Sequence, residues 1–358
     1  MSDPGEQVTA FGFQGNWKEF APIALTNLLL TIVTLGFYRF WAKTRERRYL
    51  WSRTRFIDDT LEWTGTGMEL FIGFLMAAVL FLFPLFMLNF GVQALVMRGH
   101  FLIVGILVPS LYLFLLFIVG LARFRALRYR LSRTYWHGIR GGSADPGFAY
   151  GWSAVWKPLI GMAAAGLMIP WSMTELWNER WRAMSFGPHR FESDVRPGPL
   201  MGRFLLFYLL PIVGCVAIIG AVGVAFTQGA QNNPKAAAGA VGFAVLGVIA
   251  AYLAMGVIAL AFYAKYFREA VGNLSLTSID FEFSASTWDW FKLILGNILL
   301  VIFTLGIGYA FLGYRTWKFL ITHLEAGGEI DFALLTQSTT PELKQGEGLL
   351  DAFDVGAI

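Results

Sequence analysis

Cysteine is almost absent. Cys215 is the only one in 358 residues, so no intrachain disulfide and no cysteine-based metal site can form. It sits in an apolar run, where a packed, unreactive thiol is expected. Charge is scarce too. Only 15% of the residues are Asp, Glu, Lys or Arg, against about 25% in soluble domains. That leaves too little polar surface to coat a water-soluble globule. The four histidines, His100, His137, His189 and His323, are scattered without metal-ligand spacing. No P-loop, Gly-x-Ser-x-Gly, His-Glu-x-x-His or dinucleotide fingerprint occurs. We therefore expect no metal, no cofactor and no enzymatic activity. The start, Met1-Ser-Asp-Pro-Gly-Glu-Gln7, is acidic and has no basic region or cleavage site, so no secretory signal peptide is expected. The first apolar helix would act as its own insertion signal.

What is present is apolar. Hydrophobic residues make up 56% and aromatic residues 16%, with mean hydropathy +0.57, which indicates a multi-pass integral membrane protein. Apolar segments of spanning length occur at 20–41, 69–90, 101–122, 153–171, 201–226, 238–262 and 289–312. Loops 91–100 and 227–237 are short and polar. Glycines at 214, 220, 223, 239, 242 and 247 predict a close helix pair across 201–262.

The chain also repeats itself. Asn27-Leu-Leu-Leu-Thr-Ile-Val-Thr34-Leu35-Gly36 returns as Asn297-Ile-Leu-Leu-Val-Ile-Phe-Thr304-Leu305-Gly306. The offset of 270 holds without a gap from Phe11 to Tyr49, and eleven of those 39 positions are identical. A match of that length predicts a structural unit used more than once. A weaker middle copy, at offset 130, keeps Gly166 for Gly36 and Trp171 for Trp41. After the first apolar segment come a basic aromatic stretch and an alternating stretch around Asp58-Asp59, read as a β-hairpin over 55–63. The basic part recurs at offset 80 (Arg125, Arg128, Tyr129). The hairpin recurs at 186–192 and 274–283, with Glu192 and Glu282 standing where Glu62 stands. A looser copy runs from His323 to Phe332 around Gly327-Gly328.

The expected fold is thus an all-α polytopic membrane bundle built from internal repeats, with short interfacial β-hairpins between helices. Its parts are a tail at 1–10, one repeat at 11–140, a second at 141–280, a partial third at 281–335 and a polar tail at 336–358. That last tail carries Glu342, Glu347, Asp351 and Asp354 and reads as solvated. Seven basic residues at 39–55 and six arginines at 123–140 mark the cytoplasmic side. Two arrangements stay open. Either seven plain spans invert the middle repeat, or 20–41, 153–171 and 289–312 dip in and return. In the second case they break near Thr34-Leu35-Gly36, Ile169-Pro170 and Thr304-Leu305-Gly306.

The pattern Asn27…Thr34-Leu35-Gly36…Trp41-Ala42-Lys43…Arg45-x-x-Arg48-Tyr49 resembles that of the YjgN-type bacterial inner-membrane proteins, a family of uncharacterised function. So do Gly138-Ile139-Arg140 with Gly142-Ser143…Tyr150, and the terminal Asn297…Gly306. The resemblance runs from Phe11 to about Gln337. One departure is Ala310-Phe311, where the family usually carries Pro-Trp. The resemblance implies a multi-pass protein of the bacterial cell inner membrane and supplies no activity.

Three candidate features follow. Asn27, Lys157 and Asn297 occupy one position of the three copies, each inside an apolar segment. Polar groups there face the protein interior or a wet cavity, and a lysine favours an anionic guest. Helix-to-helix hydrogen bonding and a snorkelling lysine are the plainer reading. The helix-break residues Thr34, Gly36, Pro170, Thr304 and Gly306 mark either a ligand-binding break or tight packing. Arg45, Arg48, Tyr49, Arg125, Arg128 and Tyr129 lie on helical faces suited to lipid headgroups. The hairpin carboxylates Glu62, Glu192 and Glu282 are expected to pair with those arginines and close a small sheet. Membrane lipids are the expected partners. Nucleic acid is disfavoured, and an envelope protein partner stays open. The leading expectation is a protein that binds or moves a small anionic or amphipathic molecule, lipid included, between its repeats. The alternative is a non-enzymatic envelope scaffold or assembly factor.

Overall fold

The computed structural model describes residues 10–230, 233–328, 336–341 and 351. In chain order, β1 (Phe11–Phe13) leads into α1 (Trp17–Val33) and α2 (Arg39–Ser52). Next come β2 (Thr54–Phe56), β3 (Asp59–Thr60) and β4 (Glu62–Trp63). A long helical stretch is made of α3 (Gly67–Phe86), a π-turn (Met87–Gly91) and α4 (Val92–Met97). After α5 (Phe101–Arg133) stand β5 (Thr134–Trp136) and β6 (Ile139–Gly142). Then follow α6 (Phe148–Ala163), α7 (Ile169–Arg182), β7 (Ser185–Phe186) and β8 (His189–Ser193). Helices α8 (Gly198–Phe204), α9 (Leu206–Ala230) and α10 (Pro234–Gly272) precede β9 (Leu274–Leu276) and β10 (Ile279–Phe283). The chain continues through α11 (Thr287–Phe303), a 3-10 turn (Ile307–Phe311), α12 (Leu312–Thr322) and β11 (Leu324–Gly327).

Two compact units are distinguished. One comprises Met1–Val195, Ala270–Ser284 and Leu293–Ile358; the other comprises Arg196–Glu269 and Ala285–Lys292. All strands belong to the first unit.

The seven-span reading is overturned. Among the described residues four helical stretches are long and apolar enough to cross a bilayer: Gly67–Met97, Phe101–Arg133, Gly198–Gly229 and Pro234–Gly272. Segments 20–41, 153–171 and 289–312 each break midway. The backbone goes left-handed at Leu35-Gly36 (φ 51° and 94°), Ala165-Gly166 (53° and 81°) and Leu305-Gly306 (51° and 94°). Two successive left-handed residues cannot continue a right-handed helix, so the chain doubles back as helix, turn, helix. Pro170 opens α7 at its second position, where its missing N–H costs nothing. The middle break therefore lies at 164–168, a little before the expected Ile169-Pro170.

The strands go beyond the separate short hairpins expected between the helices. They form a three-stranded sheet, β1-β2-β3, and an eight-stranded one, β4-β5-β6-β7-β8-β9-β10-β11, all neighbours antiparallel. The longer strands change partner along their length. Ile139 and Arg140 pair with β5, whereas Gly141 and Gly142 pair with β7. Strand β8 divides in the same way between β7 and β9. Each hairpin thus leaves half a strand unpaired, and the next hairpin satisfies it. Ring contacts tie the hairpins together. Phe11 stacks on Phe56 at 4.5 Å, Phe56 meets Trp136 at 4.9 Å, and Phe281 lies 6.4 Å from both Phe191 and Phe11. Hydrogen-bonded strands must share one side of a membrane, so this sheet excludes an inverted middle segment.

Beneath β1–β4 a core gathers Phe20, Phe40, Leu50, Trp51, Trp63, Leu70, Tyr129 and Tyr314. Trp51 and Trp317 stack at 4.1 Å, and their indole N–H groups donate to Thr134 and Thr54, each at 2.9 Å.

In the second unit, Cys215 is exposed on α9 rather than packed. The glycines expected to bring α9 and α10 together face open space at 220, 223, 239, 242 and 247; Gly214 faces Ala251 at van der Waals distance. Apolar periodicity cannot tell a helix neighbour from a lipid, because both are greasy. Of the acidic tail, Asp351 is wholly buried rather than solvated. Glu342, Glu347 and Asp354 lie outside the described residues, as do residues 329–332 of the loosest hairpin copy.

Two tests follow. In a Cys215→Ser background, single cysteines at Thr60, Arg190 and Ser278 should react with an impermeant thiol reagent from one side, and a cysteine at Arg98 from the other. Labelling of Arg190 opposite to Thr60 refutes the shared face. Gly36→Ala meets no atom within 4 Å, so its cost is conformational alone and should be about 1–2 kcal/mol in a detergent denaturation curve.

Candidate functional site

Two of the three matching polar positions, Asn27 and Lys157, bond across their own helical hairpins. Asn27 is buried; its Nδ2 donates to Ala42 O at 3.1 Å, and its Oδ1 accepts from Arg45 Nη1 at 3.3 Å. Lys157 is buried on α6 and ion-pairs with Glu179 at 3.0 Å and Glu175 at 3.4 Å on α7. Ser153 holds the other oxygen of Glu179 at 2.7 Å. Asn297 has a buried Oδ1 without a hydrogen-bond partner among the described residues. Arg315 approaches beside it: a β-carbon on Gly296 would sit 2.6 Å from Arg315 Nη2. The facing residue is eighteen positions later in all three cases: Arg45, Glu175 and Arg315.

Among the described residues no hydrogen bond or ion pair joins the three positions to one another. Only Asn27 lines the cavity that stands out in the first unit. That cavity has a volume of about 630 Å³ and lies among α1, α2, α5, the 3-10 turn and α12. Its charged lining is Arg39, Lys43, Arg47 and Arg130, with Glu46 the acidic group among them. Most of the rest is apolar, including Phe20, Leu28, Trp51, Trp317 and Leu320, with Asn27, Thr31 and Thr316 as the uncharged polar groups. Gly313 lets α12 approach here, since a β-carbon on it would strike the Glu46 carboxylate.

The deepest charges in the cavity are held by the tail. Arg47 Nη1 and Arg130 Nε each ion-pair with one carboxylate oxygen of Asp351. Arg47 Nη2 also donates to the Asp351 carbonyl at 3.0 Å, and the Arg47 guanidinium lies over the Trp63 ring at 4.9 Å. Burial by itself would raise the Asp351 pKa. Attraction to Arg130 and then Arg47 outweighs it and leaves the carboxyl below its ordinary value. The pair is therefore charged at neutral pH, and its contribution would be lost only on acidification through that lowered value.

The break residues work as local staples. Thr34 Oγ1 donates to Leu30 O at 2.7 Å and accepts from Tyr38 N at 2.9 Å. Thr304 Oγ1 does the same between Leu300 O and Gly308 N, both at 2.6 Å.

The expected headgroup residues divide. Arg45 and Arg48 are exposed. Tyr49 hydroxyl is engaged with Asn16, donating to its carbonyl at 2.9 Å and accepting from its N–H at 3.0 Å. Arg125 Nε donates to Pro146 O at 3.3 Å and its guanidinium lies over Phe148. Arg128 and Tyr129 are buried instead: Arg128 Nε donates to Ser143 O at 3.0 Å and Tyr129 hydroxyl to Glu69 at 2.9 Å. Glu69 also receives Arg133 at 2.7 Å and completes a capping box with Thr66. The carboxylates Glu62, Glu192 and Glu282 are exposed and stand opposite Tyr135, Ser275 and Glu325, not opposite arginines. At the hairpin tips His137 Nε2 lies 3.0 Å from Asp58 Oδ1. That hydrogen bond is the main cause holding Asp58 below its ordinary pKa.

Sequence reasoning missed Arg47, Arg130 and Asp351. A signal existed for Arg47: Phe40, Thr44, Arg47 and Trp51 recur at helical spacing, and all four are buried, so the arginine belongs to the inward stripe. Glu175 and Glu179 were also legible, because Lys157 on one helix and an acid at the Arg45 position on the next is a paired exchange.

Replacing Lys157 by Met should destabilise the protein by about 1–2 kcal/mol, since both partner carboxylates are more than a third exposed or close to it and a solvated pair is worth less. A Lys157→Met, Glu179→Gln cycle should return a coupling of about 1 kcal/mol. Additive losses in thermal unfolding would deny the ion pair.

Residues 8–352 match the family described as bacterial protein of unknown function, DUF898. The inner membrane protein YjgN of Salmonella typhimurium is 22% identical over 92% of this chain and 91% of its own length. The proteins of the same name from Escherichia coli O157:H7 and K12 are 30% and 28% identical, each over 37% of this chain and 30% of the relative. No solved structure matches significantly. With the match covering nearly its whole length, the chain belongs to the DUF898 family of bacterial proteins.

Proposed function

We propose that this protein is a non-enzymatic, multi-pass inner-membrane protein that binds an amphiphile with an anionic headgroup. The carrying observation is the cavity of about 630 Å³ lined by four cations, Asn27 and a larger number of apolar side chains. Its volume falls in the range of small-molecule sites. A charged head on an apolar chain matches both surfaces, and neither a bare ion nor a hydrocarbon does.

The relatives are named inner membrane proteins, which supports the location. In the proposed arrangement the four long helices cross the bilayer. The hairpins at 17–52, 148–182 and 287–322 are copies of one unit, entering from the sheet side and turning back within the membrane. The tips support this. Leu35 is 91% exposed and Leu305 94%, which suits hydrocarbon and not water. Backbone that leaves the helix at that depth needs partners within the protein, and the N–H groups of Leu35, Gly36 and Phe37 find them at Ile32 O, Thr31 O and Thr34 O. Movement of the amphiphile between leaflets would use the same cavity.

The scaffold reading rests on a different observation: the exposed carboxylates Glu62, Glu192 and Glu282 along the strands. It assigns no role to the cavity.

The two readings separate in a binding experiment. In detergent micelles, native mass spectrometry should show the protein retaining phosphatidic acid over phosphatidylcholine. Arg39→Gln with Lys43→Gln should weaken retention by about 10- to 100-fold, as expected for loss of one or two charge-assisted contacts. Equal retention of the two lipids, or no effect of the double substitution, would reject the cavity reading. A phenotype confined to the hairpin carboxylates would favour a scaffold.

A further inference from the structure

We propose that Arg47 and Arg130 form a phosphate-binding subsite, which Asp351 occupies in cis and which a phosphate-bearing ligand takes by displacing it. This inference rests on the cavity reading and deepens it.

The two arginines come from different helices, α2 and α5, and converge on one small anion. Each contacts a separate oxygen of the carboxylate, and Arg47 is itself almost fully buried. Placing two guanidinium groups in a buried position is costly unless an anion sits between them. The site is therefore built for an oxyanion, and the chain provides one of its own. Both arginines also line the cavity, so the subsite adjoins the space assigned to the amphiphile.

Charge balance selects the ligand class. Four cations line the cavity against the single carboxylate of Glu46. Asp351 adds one negative charge, which leaves an excess of positive charge. A phosphate monoester carries up to two charges and more acceptor oxygens, so it neutralises the wall better than a carboxylate does. The free monoester of a lipid headgroup and inorganic phosphate share this chemistry.

The tail is attached in a way that permits exchange. Gln337 Nε2 donates to Gly138 O at 2.9 Å, and Gln337 Oε1 accepts from Arg140 N at 3.3 Å. Arg140 Nη2 donates to the carbonyl of Thr340. These contacts hold the tail on β6 independently of Asp351. Asp351 is thus a tethered competitor with a high effective concentration, and it can leave the arginines without the tail leaving the protein.

The test measures dissociation constants of the full-length protein in micelles for short-chain phosphatidic acid and, separately, for inorganic phosphate. Asp351→Asn should bind phosphatidic acid at least tenfold tighter than the parent. Arg47→Gln added to Asp351→Asn should abolish that gain, and Asp354→Asn should not reproduce it. A gain with inorganic phosphate as well assigns the subsite to the phosphate group alone; a gain with the lipid only assigns it to a headgroup with its chain. In the unsubstituted protein, saturating phosphatidic acid should accelerate tryptic cleavage after Lys344, a readout that needs no variant to fold. If the parent binds phosphatidic acid but Asp351→Asn binds it no tighter, or the lipid leaves cleavage unchanged, the competition is overturned and the cavity reading stands. If neither protein binds phosphatidic acid, the cavity reading falls and this inference with it.

Discussion

A polypeptide can reverse direction inside hydrocarbon only where the backbone groups freed by the turn find partners in the chain itself. In the proposed arrangement this constraint acts on the three hairpins. At the first and third breaks one threonine hydroxyl both donates to the end of one helix and accepts from the start of the next. The middle break has Ala164 where the others have threonine, and backbone bonds close it: Gly166 N to Met162 O, Leu167 N to Ala164 O and Ile169 N to Gly166 O. Pro170 then begins the next helix without an N–H to satisfy. A threonine hydroxyl at two breaks and backbone bonds at the third thus meet the same requirement at matching places.

The same requirement governs the other end of the hairpins. A short hairpin at a membrane surface exposes its edges, and an exposed edge invites pairing. Here the pairing is internal: Gly141 and Gly142 of β6 reach β7, and Phe191 to Ser193 of β8 reach β9. The sheet is therefore a connector. It holds the feet of the helical hairpins in register, while α2, α5 and α12 frame the cavity above. Buried ions follow a parallel logic. Lys157 is matched by Glu175 and Glu179, and Arg47 by Asp351, because an unmatched charge in so apolar a chain would be expelled or neutralised.

Much of the local structure was readable. Thr34-Leu35-Gly36 and Thr304-Leu305-Gly306 marked real breaks, and alternation around Asp58-Asp59 marked a real hairpin. These depend on neighbours within a few residues. The continuity of the sheet was not readable, because partner exchange between Arg140 and Gly141 leaves no trace in composition. Arg128 and Tyr129 looked like interfacial residues since their spacing matches Arg48 and Tyr49, yet they are buried against Ser143 and Glu69. A spacing gives a face and does not name what covers it. Asp351 was hidden for a related reason: its partners lie 304 and 221 positions away, and no local pattern carries such a pairing. Asn27 and Lys157, matched by sequence offset, each find partners eighteen positions later, at Arg45 and Glu175.

The lengths of the hairpin helices have a mechanical consequence. Helix α1 has 17 residues and α2 has 14, about 25 Å and 21 Å long, against about 30 Å for a hydrocarbon core. In the proposed arrangement such hairpins occupy area in the leaflet they enter and little in the opposite one. Packing stress would then fall on one monolayer, whose lipids must make room for each hairpin while those opposite lose little area.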